Sequence, residues 1–151
     1  MAILLGSYYA GENNMFGRIL YETGLTARLL RTSEYLDLLS YGIGLTDIAK
    51  KAAGVDAKFL HKDYDLESFT QKMAHFRPKI ICFNGKASAA LFYSWQYQRK
   101  LKTKQVNYGL HSMKDRTFSI FVAPSTSGAA RRYWEPDYWR QLAHLVKQTQ
   151  I

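Results

Sequence analysis

Two short apolar runs, each followed by a polar turn and then a helical pattern, constrain the fold of this 151-residue chain most strongly. The runs are KIICF at residues 79–83 and TFSIFV at residues 117–122, and the turns contain FNGK and PSTSGAARR. Apolar runs of this length are typical of buried strands. Because strands alternate with helices, we predict an α/β domain with a mainly parallel sheet. Ligands of such folds bind at the carboxyl ends of the strands, where both polar turns are expected to lie.

The helices are predicted from apolar residues that recur every three or four positions. The predicted helices cover residues 15–20, 34–39, 66–77 and 87–97, with a last helix from about residue 136 that buries Trp139, Leu142 and Val146. The glycine-rich segment SYGIGLT is predicted to be a turn, and the basic stretch after residue 98 is predicted to be a loop. No repeat or linker divides the chain, so we expect a single domain over residues 1–151.

The charge of the chain is strongly basic. Twenty-one Lys and Arg against twelve Asp and Glu give a formal net charge of +9. RKLKTK at residues 99–104, KDR at 114–116 and RR at 131–132 contribute much of this excess. Two interpretations remain open, an ordinary solvated surface or a face that binds a polyanion. Eleven tyrosines and an aromatic content of 15% favour nucleic acid over a membrane surface as the partner.

Composition argues against several other classes of protein. No apolar run approaches the ~20 residues that a membrane span needs, so we expect no membrane partner. The single Cys82 cannot form an internal disulfide, and we expect no metal site. The opening MAILLG is too short for a signal peptide. These features predict a cytoplasmic protein, associated with the nucleoid if the source is bacterial.

Four segments carry a resemblance to a known family. They are YYAGENNMFGRILYETGLT at residues 8–26, LLSYGIGLTDIAKKAAG at 38–54, PKIICFNGKASAALF at 78–92 and VAPSTSGAARRYW at 122–134. In this order they resemble the uracil-DNA glycosylase superfamily, and most closely its mismatch-specific (thymine/uracil) branch. The similarity covers nearly the whole chain, from about residue 8 to residue 146.

The resemblance implies a fold and an activity. The fold is a three-layer α/β/α domain around a short, mainly parallel sheet. The activity is that of a DNA repair glycosylase, which flips a deaminated or mismatched base out of the duplex and hydrolyses its N-glycosidic bond. The base would be uracil-like or hypoxanthine. The implied partner is double-stranded DNA that contains such a base, and we expect a monomer that needs no cofactor.

The resemblance also implies a pocket for the flipped base. Tyr9 matches the residue that stacks on the base, and Asn14 either contacts the base or orders its loop. Asn84 either contributes to the pocket or belongs to a tight turn. Asp47 replaces the Asn with which the thymine-type branch recognises the base edge, and an ionised Asp can only accept hydrogen bonds. It is expected to change base preference or to position water, unless it caps a helix.

The PSTSGAARR loop is implied to contain the residues that act on the leaving base and hold the DNA. Ser125 occupies the position from which a polar side chain stabilises the departing base, and a hydroxyl there implies weaker stabilisation than His or Asn would give. Further DNA contacts are expected from Lys86, Ser127, Gly128, Ala129, Arg131 and Arg132. The alternative is a simple loop that leads into a helix.

The first catalytic motif of the superfamily is not recognisable here. That motif is a Gly-x-x-Pro-type loop with Asn or Asp, whereas the residues before Tyr8, MAILLGS, contain no acid, amide or proline. The strand that delivers the loop is also expected to be missing. Truncation, a degenerate protein that binds without cutting, and transfer of the water-positioning role to Asp47 or Asn14 remain open. The rival functions are therefore a weak or inactive binder of abasic or mismatched DNA and, less compatible with RKLKTK, an enzyme of small nucleobases.

Overall fold

A computed structural model describes residues 2–5, 14–46, 66–111 and 118–149 of the chain. Five strands of this part form one sheet in the order β2-β1-β3-β5-β4. They are β1 (Ala2–Leu5), β2 (Ile43–Thr46), β3 (Ile80–Asn84), β4 (Gly109–His111) and β5 (Ser119–Ala123). β1, β2, β3 and β5 are parallel, whereas β4 pairs antiparallel with β5. The predicted mainly parallel sheet is confirmed.

The α-helices agree with the periodicity of the sequence, but the helix predicted over residues 34–39 lies within a 3-10 helix. The α-helices are α1 (Phe16–Glu22), α2 (Leu66–Phe76), α3 (Lys86–Tyr97) and α4 (Pro136–Thr149). In the described ranges, 3-10 helices cover Thr32–Tyr41, Thr103–Gln105 and Gly128–Tyr133. In α4 the predicted apolar stripe is buried, with Trp139, Leu142 and Val146 at most 2% exposed. None of the helices in the described ranges is long and apolar enough to cross a bilayer.

The sheet separates two hydrophobic cores, which gives the fold its three layers. Along β3, Ile80 and Cys82 belong to one core and Ile81 and Phe83 to the other, because successive strand side chains point to opposite faces. The first core contains residues of α1 and α4, and the second contains residues of α2 and α3. This arrangement confirms the α/β/α architecture. Burial between two helical layers also explains why β3 reads as a continuous apolar run.

The expectation that the first strand is missing is wrong. Residues Ala2–Leu5 form β1, an interior strand that pairs with β2 on one side and β3 on the other. Ala2 lies opposite both Ile43 and Ile80. Four apolar residues at the start of a chain carry no preceding turn signal, and the hydrogen bonds of a parallel strand come from partners distant in sequence. The local sequence therefore did not reveal this strand.

Two other segments differ from the prediction. The GIGLT segment, predicted as part of a turn, forms the edge strand β2 because Ile43–Thr46 pairs in register with β1. The basic stretch after α3, predicted as loop, contains the short strand β4, whose Gly109 lies opposite Val122. In both cases pairing with a neighbouring strand overrides the low strand propensity of glycine-containing sequence.

Candidate nucleic-acid site at the carboxyl edge of the sheet

The two polar turns predicted to lie together do so. β3 and β5 are neighbours, and Asn84 at the end of β3 lies opposite Ala123 at the end of β5. The FNGK turn and the loop that begins at Pro124 therefore leave the sheet side by side. We call this carboxyl edge, defined by residues 84–86 and 124–133, the rim. Its position agrees with the general location of ligand sites in parallel α/β sheets.

Asn84 and Thr126 hold the two turns together with a pair of hydrogen bonds. The Asn84 side-chain amide donates from Nδ2 to Thr126 Oγ1 at 2.9 Å, and Asn84 Oδ1 accepts from the Thr126 backbone N–H at 3.0 Å. Thr126 is only 1% exposed, so its polar groups depend on these partners rather than on bulk water. Both ends of the Asn84 amide thus serve to fix the loop.

Thr126 also joins the rim to the start of α1. Its backbone carbonyl accepts a hydrogen bond from the Met15 N–H at 2.9 Å. Next to that contact, Asn14 Oδ1 accepts from the Phe16 N–H at 3.0 Å, an Asx-turn bond that orders the chain just before α1. This contact agrees with the loop-ordering alternative for Asn14, and contact with a base remains a prediction. One buried threonine therefore connects three segments that are distant in sequence.

Gly85 allows the two turns to approach closely. Its φ of 104° and ψ of 155° lie in a region that is nearly restricted to glycine. Its N–H donates to the Ala123 carbonyl at 2.8 Å, and a Cβ at this position would lie 3.2 Å from Ser125 Cβ. The absence of a side chain thus gives Ser125 its place against the FNGK turn.

Ser125 is partly buried, and its loop continues into a 3-10 helix. Ser125 Oγ accepts a hydrogen bond from the Ser127 N–H at 3.2 Å. The Ser127 carbonyl in turn accepts from the Ala130 N–H at 3.1 Å. These bonds direct the chain into the 3-10 helix Gly128–Tyr133, which contains four of the residues expected to contact DNA. An accepted N–H leaves the hydroxyl proton of Ser125 available for donation to another group.

Two cations of the rim, Lys86 and Arg132, lie beside aromatic rings. Lys86 Nζ lies 4.3 Å from the centre of the Tyr108 ring, and that ring packs at 5.2 Å against Tyr138 of α4. Burial, with Glu135 as a further cause, raises the pKa of Tyr108, so its ring is neutral at pH 7. Arg132 is exposed, and its guanidinium carbon lies 5.4 Å from the Tyr133 ring centre. Cation–π contacts of this kind orient the charged groups without neutralising them.

The structure places some of the expected site residues and not others. Asn14, Asn84, Ser125, Ser127 and Gly128 come together at the rim, with Lys86 and Arg132 beside them. Ala129 and Arg131 lie in the same 3-10 helix by their backbone. Tyr9 and Asp47 lie outside the described residues, so their roles remain predictions. Asp47 follows directly on the last residue of β2.

Sequence reasoning missed three residues of this site, Thr126, Tyr108 and Tyr138. Thr126 stands between two serines in a loop of small residues, so only its burial distinguishes it from them. Tyr108 directly precedes β4, and that strand was not predicted. Tyr138 lies on α4 beside the buried Trp139, where it reads as part of the apolar stripe. A partial signal existed for Tyr108 alone, because tyrosines among Lys and Arg favour a surface that binds nucleic acid.

Trp139 fixes the beginning of the rim loop to α4. Its indole Nε1 donates to the Pro124 carbonyl at 2.9 Å, and the side chain is fully buried.

Replacing Trp139 by Phe is expected to lower the free energy of unfolding by about 1–3 kcal/mol, because a buried carbonyl loses its donor. Urea unfolding would measure this loss. Trp134→Phe is the matched control, since none of the hydrogen bonds among the described residues uses the Trp134 indole. An equal loss of unfolding free energy in both variants would show that the bond from Trp139 to the Pro124 carbonyl does not contribute.

The mainly parallel sheet has hydrogen-bonded polar loops at its carboxyl edge, together with Lys86 and the exposed Arg132. These features define this chain as an α/β protein with a candidate nucleic-acid site at that edge. A family model described as the uracil DNA glycosylase superfamily matches residues 2–146, and the match includes β1. The chain therefore belongs to the uracil DNA glycosylase superfamily. Members of the superfamily are DNA glycosylases, hydrolases of base excision repair that act on DNA.

Proposed function

We propose that this chain is a monofunctional DNA glycosylase of the mismatch-specific branch, which removes a deaminated or mismatched base from duplex DNA. The observation that supports this most is the buried Asn84–Thr126 pair, which fixes Ser125 at the rim next to a 3-10 helix with an exposed Arg132. A reactive group has to be held in place if it is to act on a base rotated out of the helix.

The proposed reaction breaks the bond between C1′ of the deoxyribose and the nitrogen of the base. The bonding electrons leave with the base, and the Ser125 hydroxyl donates a hydrogen bond to the negative charge that develops on it. A water molecule adds to C1′, and its proton passes to the departing base or to solvent. The products are the free base and an abasic site. From the resemblance, we assign stacking on the base to Tyr9 and either recognition of the base edge or positioning of water to Asp47.

The rim cations provide the proposed hold on the DNA backbone. Lys86 and Arg132 carry charges that none of the described acidic side chains pairs with, so phosphates can replace small counterions there. Arg131 and the backbone of residues 127–130 are assigned to the same contact, with residues 129–132 filling the gap that the flipped nucleotide leaves. We propose that one monomer acts on one site.

Base release from labelled duplexes tests the function directly. Duplexes with uracil or thymine opposite guanine, or hypoxanthine opposite thymine, would be incubated with the full chain, and abasic sites would be detected by alkaline cleavage. We expect release from at least one of them and none from undamaged duplex. Zero release with tight, salt-sensitive binding to abasic DNA would instead identify a binder without chemistry and would contradict the enzymatic proposal.

Removal of the Ser125 hydroxyl tests its assigned role. Ser125→Ala is expected to lower the single-turnover rate of base release by about 100-fold, because a single donor to a developing anion contributes on this order. Affinity for the duplex should change little. Ser40→Ala is the matched control, since that exposed hydroxyl donates to the Asp37 carbonyl, far along the chain from the rim. A Ser125→Ala rate equal to that of Ser40→Ala would exclude Ser125 from the chemistry.

A further inference from the structure

The positive charge of this chain is concentrated in one segment. Residues 68–114 contain nine Lys and Arg and none of the twelve Asp and Glu. The rest of the chain carries twelve of each sign, so the acid-free segment accounts for the whole net charge of +9. In the fold this segment is most of α2, then β3, α3, the 3-10 helix Thr103–Gln105 and β4.

Among the described cations of the acid-free segment, Lys86 is the one that belongs to the rim. α3 begins there, directly after β3 ends, and packs against the sheet through Ala89, Ala90 and Phe92. A helix of 12 residues is about 18 Å long. Because a helix that follows a parallel strand runs back along the sheet, the end of α3 lies near the amino ends of the strands. Arg99 and Lys100, which come next, therefore lie far from Ser125.

Other cations reach the same amino edge from neighbouring elements. Arg77 and Lys79 directly precede β3, at its amino end. Lys79 Nζ donates to the Thr149 carbonyl at the end of α4, which places the end of that helix at this edge too. We call the surface formed by Arg77, Lys79, Arg99 and Lys100 the amino-edge surface. All four side chains are exposed.

The amino-edge surface has no acidic groups to neutralise it among the described residues. The ion pairs of this part of the chain involve Arg18, Arg28 and Arg140. The topology brings Glu22, at the end of α1, and Asp37, in the 3-10 helix before β2, toward this edge. Glu22 pairs with Arg18 at 3.9 Å, and Asp37 pairs with Arg28 at 2.8 Å. Exposed Arg and Lys without acidic partners can neutralise phosphates, which releases the cations condensed on a nucleic acid.

We propose that the amino-edge surface is a second, sequence-independent contact for the DNA backbone. One molecule then holds two DNA segments, one at the rim and one at the opposite end of the strands. Four exposed cations without acidic partners match the regular negative charge of a phosphate backbone. Lys79 and Lys100 also speak against a protein partner, because protein interfaces are depleted of Lys. This contact goes beyond the proposed base release and does not depend on it.

A bridging experiment tests the second contact. An undamaged biotinylated duplex is immobilised, the full chain is bound, and capture of a second, labelled undamaged duplex is measured. Wild-type chain is expected to capture the labelled duplex, and Arg99→Glu with Lys100→Glu is expected to reduce capture at least ~10-fold. Loss of two phosphate contacts should also make the negative slope of log K against log salt for the second duplex shallower by about 2.

The controls separate this surface from net charge, folding and catalysis. Arg18→Glu with Arg140→Glu makes the same change of net charge at cations that already have acidic partners, and its capture should remain at the wild-type level. Arg99→Gln with Lys100→Gln removes charge without reversing it and should give intermediate capture. Release of a target base from a short duplex should be equal in all these variants.

Several results would overturn the proposal. The first is that the wild-type chain captures no second duplex. The second is that the Arg99→Glu, Lys100→Glu variant captures as much as wild type. The third is that the Arg18→Glu, Arg140→Glu control loses as much capture as that variant. Binding of polyglutamate at this surface without capture of duplex would assign it to an acidic protein instead. If base release fails while capture behaves as expected, the proposed function fails and the second contact stands.

Discussion

Replacement of Thr126 by valine is expected to slow base release by about 100-fold while leaving the chain folded. Valine has nearly the same shape as threonine but lacks Oγ1, the acceptor for Asn84 Nδ2 at 2.9 Å. A partly buried amide then loses its partner, which costs about 1–3 kcal/mol. The loop can relieve this cost by moving away from β3, and displacements of about 1 Å at a reacting group can reduce rates by about 100-fold.

The measurement has to distinguish positioning of Ser125 from general loss of stability. Single-turnover release would be measured with enzyme in excess, at a temperature where urea unfolding shows both proteins to be folded. Duplex affinity should change little, because Lys86 and Arg132 remain. Thr126→Ser, which keeps the hydroxyl, is the matched control and should restore most of the rate. A Thr126→Val rate equal to wild type would show that the Asn84–Thr126 pair does not position the reactive loop.

A double variant gives a sharper result. If Asn84 and Thr126 act as one unit, Asn84→Ala should lower the rate about as much as Thr126→Val, and the double variant should be hardly slower than either. If the rate reductions of the two single variants multiply in the double variant, Asn84 has a separate role, such as contact with the base. This experiment therefore also decides between the two roles expected for Asn84 from the sequence.

The rim was predictable because its signals are local. Residues 79–83 and 117–122 are apolar runs of strand length, and each leads directly into a polar turn and a helix. Once two such strands are parallel neighbours, their turns must meet at one edge. The sequence therefore placed the turns that contain Asn84, Lys86 and Ser125 at the carboxyl edge of the predicted sheet.

The elements that could not be predicted depend on contacts between distant residues. β1 becomes an interior strand through pairing with β2 and β3, and β2 overrides a glycine-containing turn signal in the same way. The role of Thr126 likewise depends on Met15 and Asn84, more than 40 residues away along the chain. A hydroxyl in a small-residue loop looks the same in the sequence whether it is buried or exposed, so only the fold distinguishes Thr126 from Ser125 and Ser127.

Replacement of Gly85 by alanine should be the most damaging small change at the rim. A φ of 104° with a ψ of 155° costs a residue with a Cβ about 1–3 kcal/mol. The new methyl group would also lie 3.2 Å from Ser125 Cβ, so Ser125 has to move by a few tenths of an ångström or more. We expect lower stability towards urea and a fall in single-turnover base release of about 100-fold, because Ser125 is displaced from its position.

Gly24→Ala is the matched control because it introduces backbone strain away from the rim. Gly24 has a φ of 77°, and the nearest atom to its added Cβ would be the flexible end of the Lys147 side chain at 2.9 Å. It should lose about 1–2 kcal/mol of stability and keep its rate of base release. If Gly85→Ala loses stability but releases base at the Gly24→Ala rate, close packing of the FNGK turn against Ser125 is not needed for the reaction. A rate loss confined to Gly85→Ala would show that the turn holds Ser125 in its reactive place.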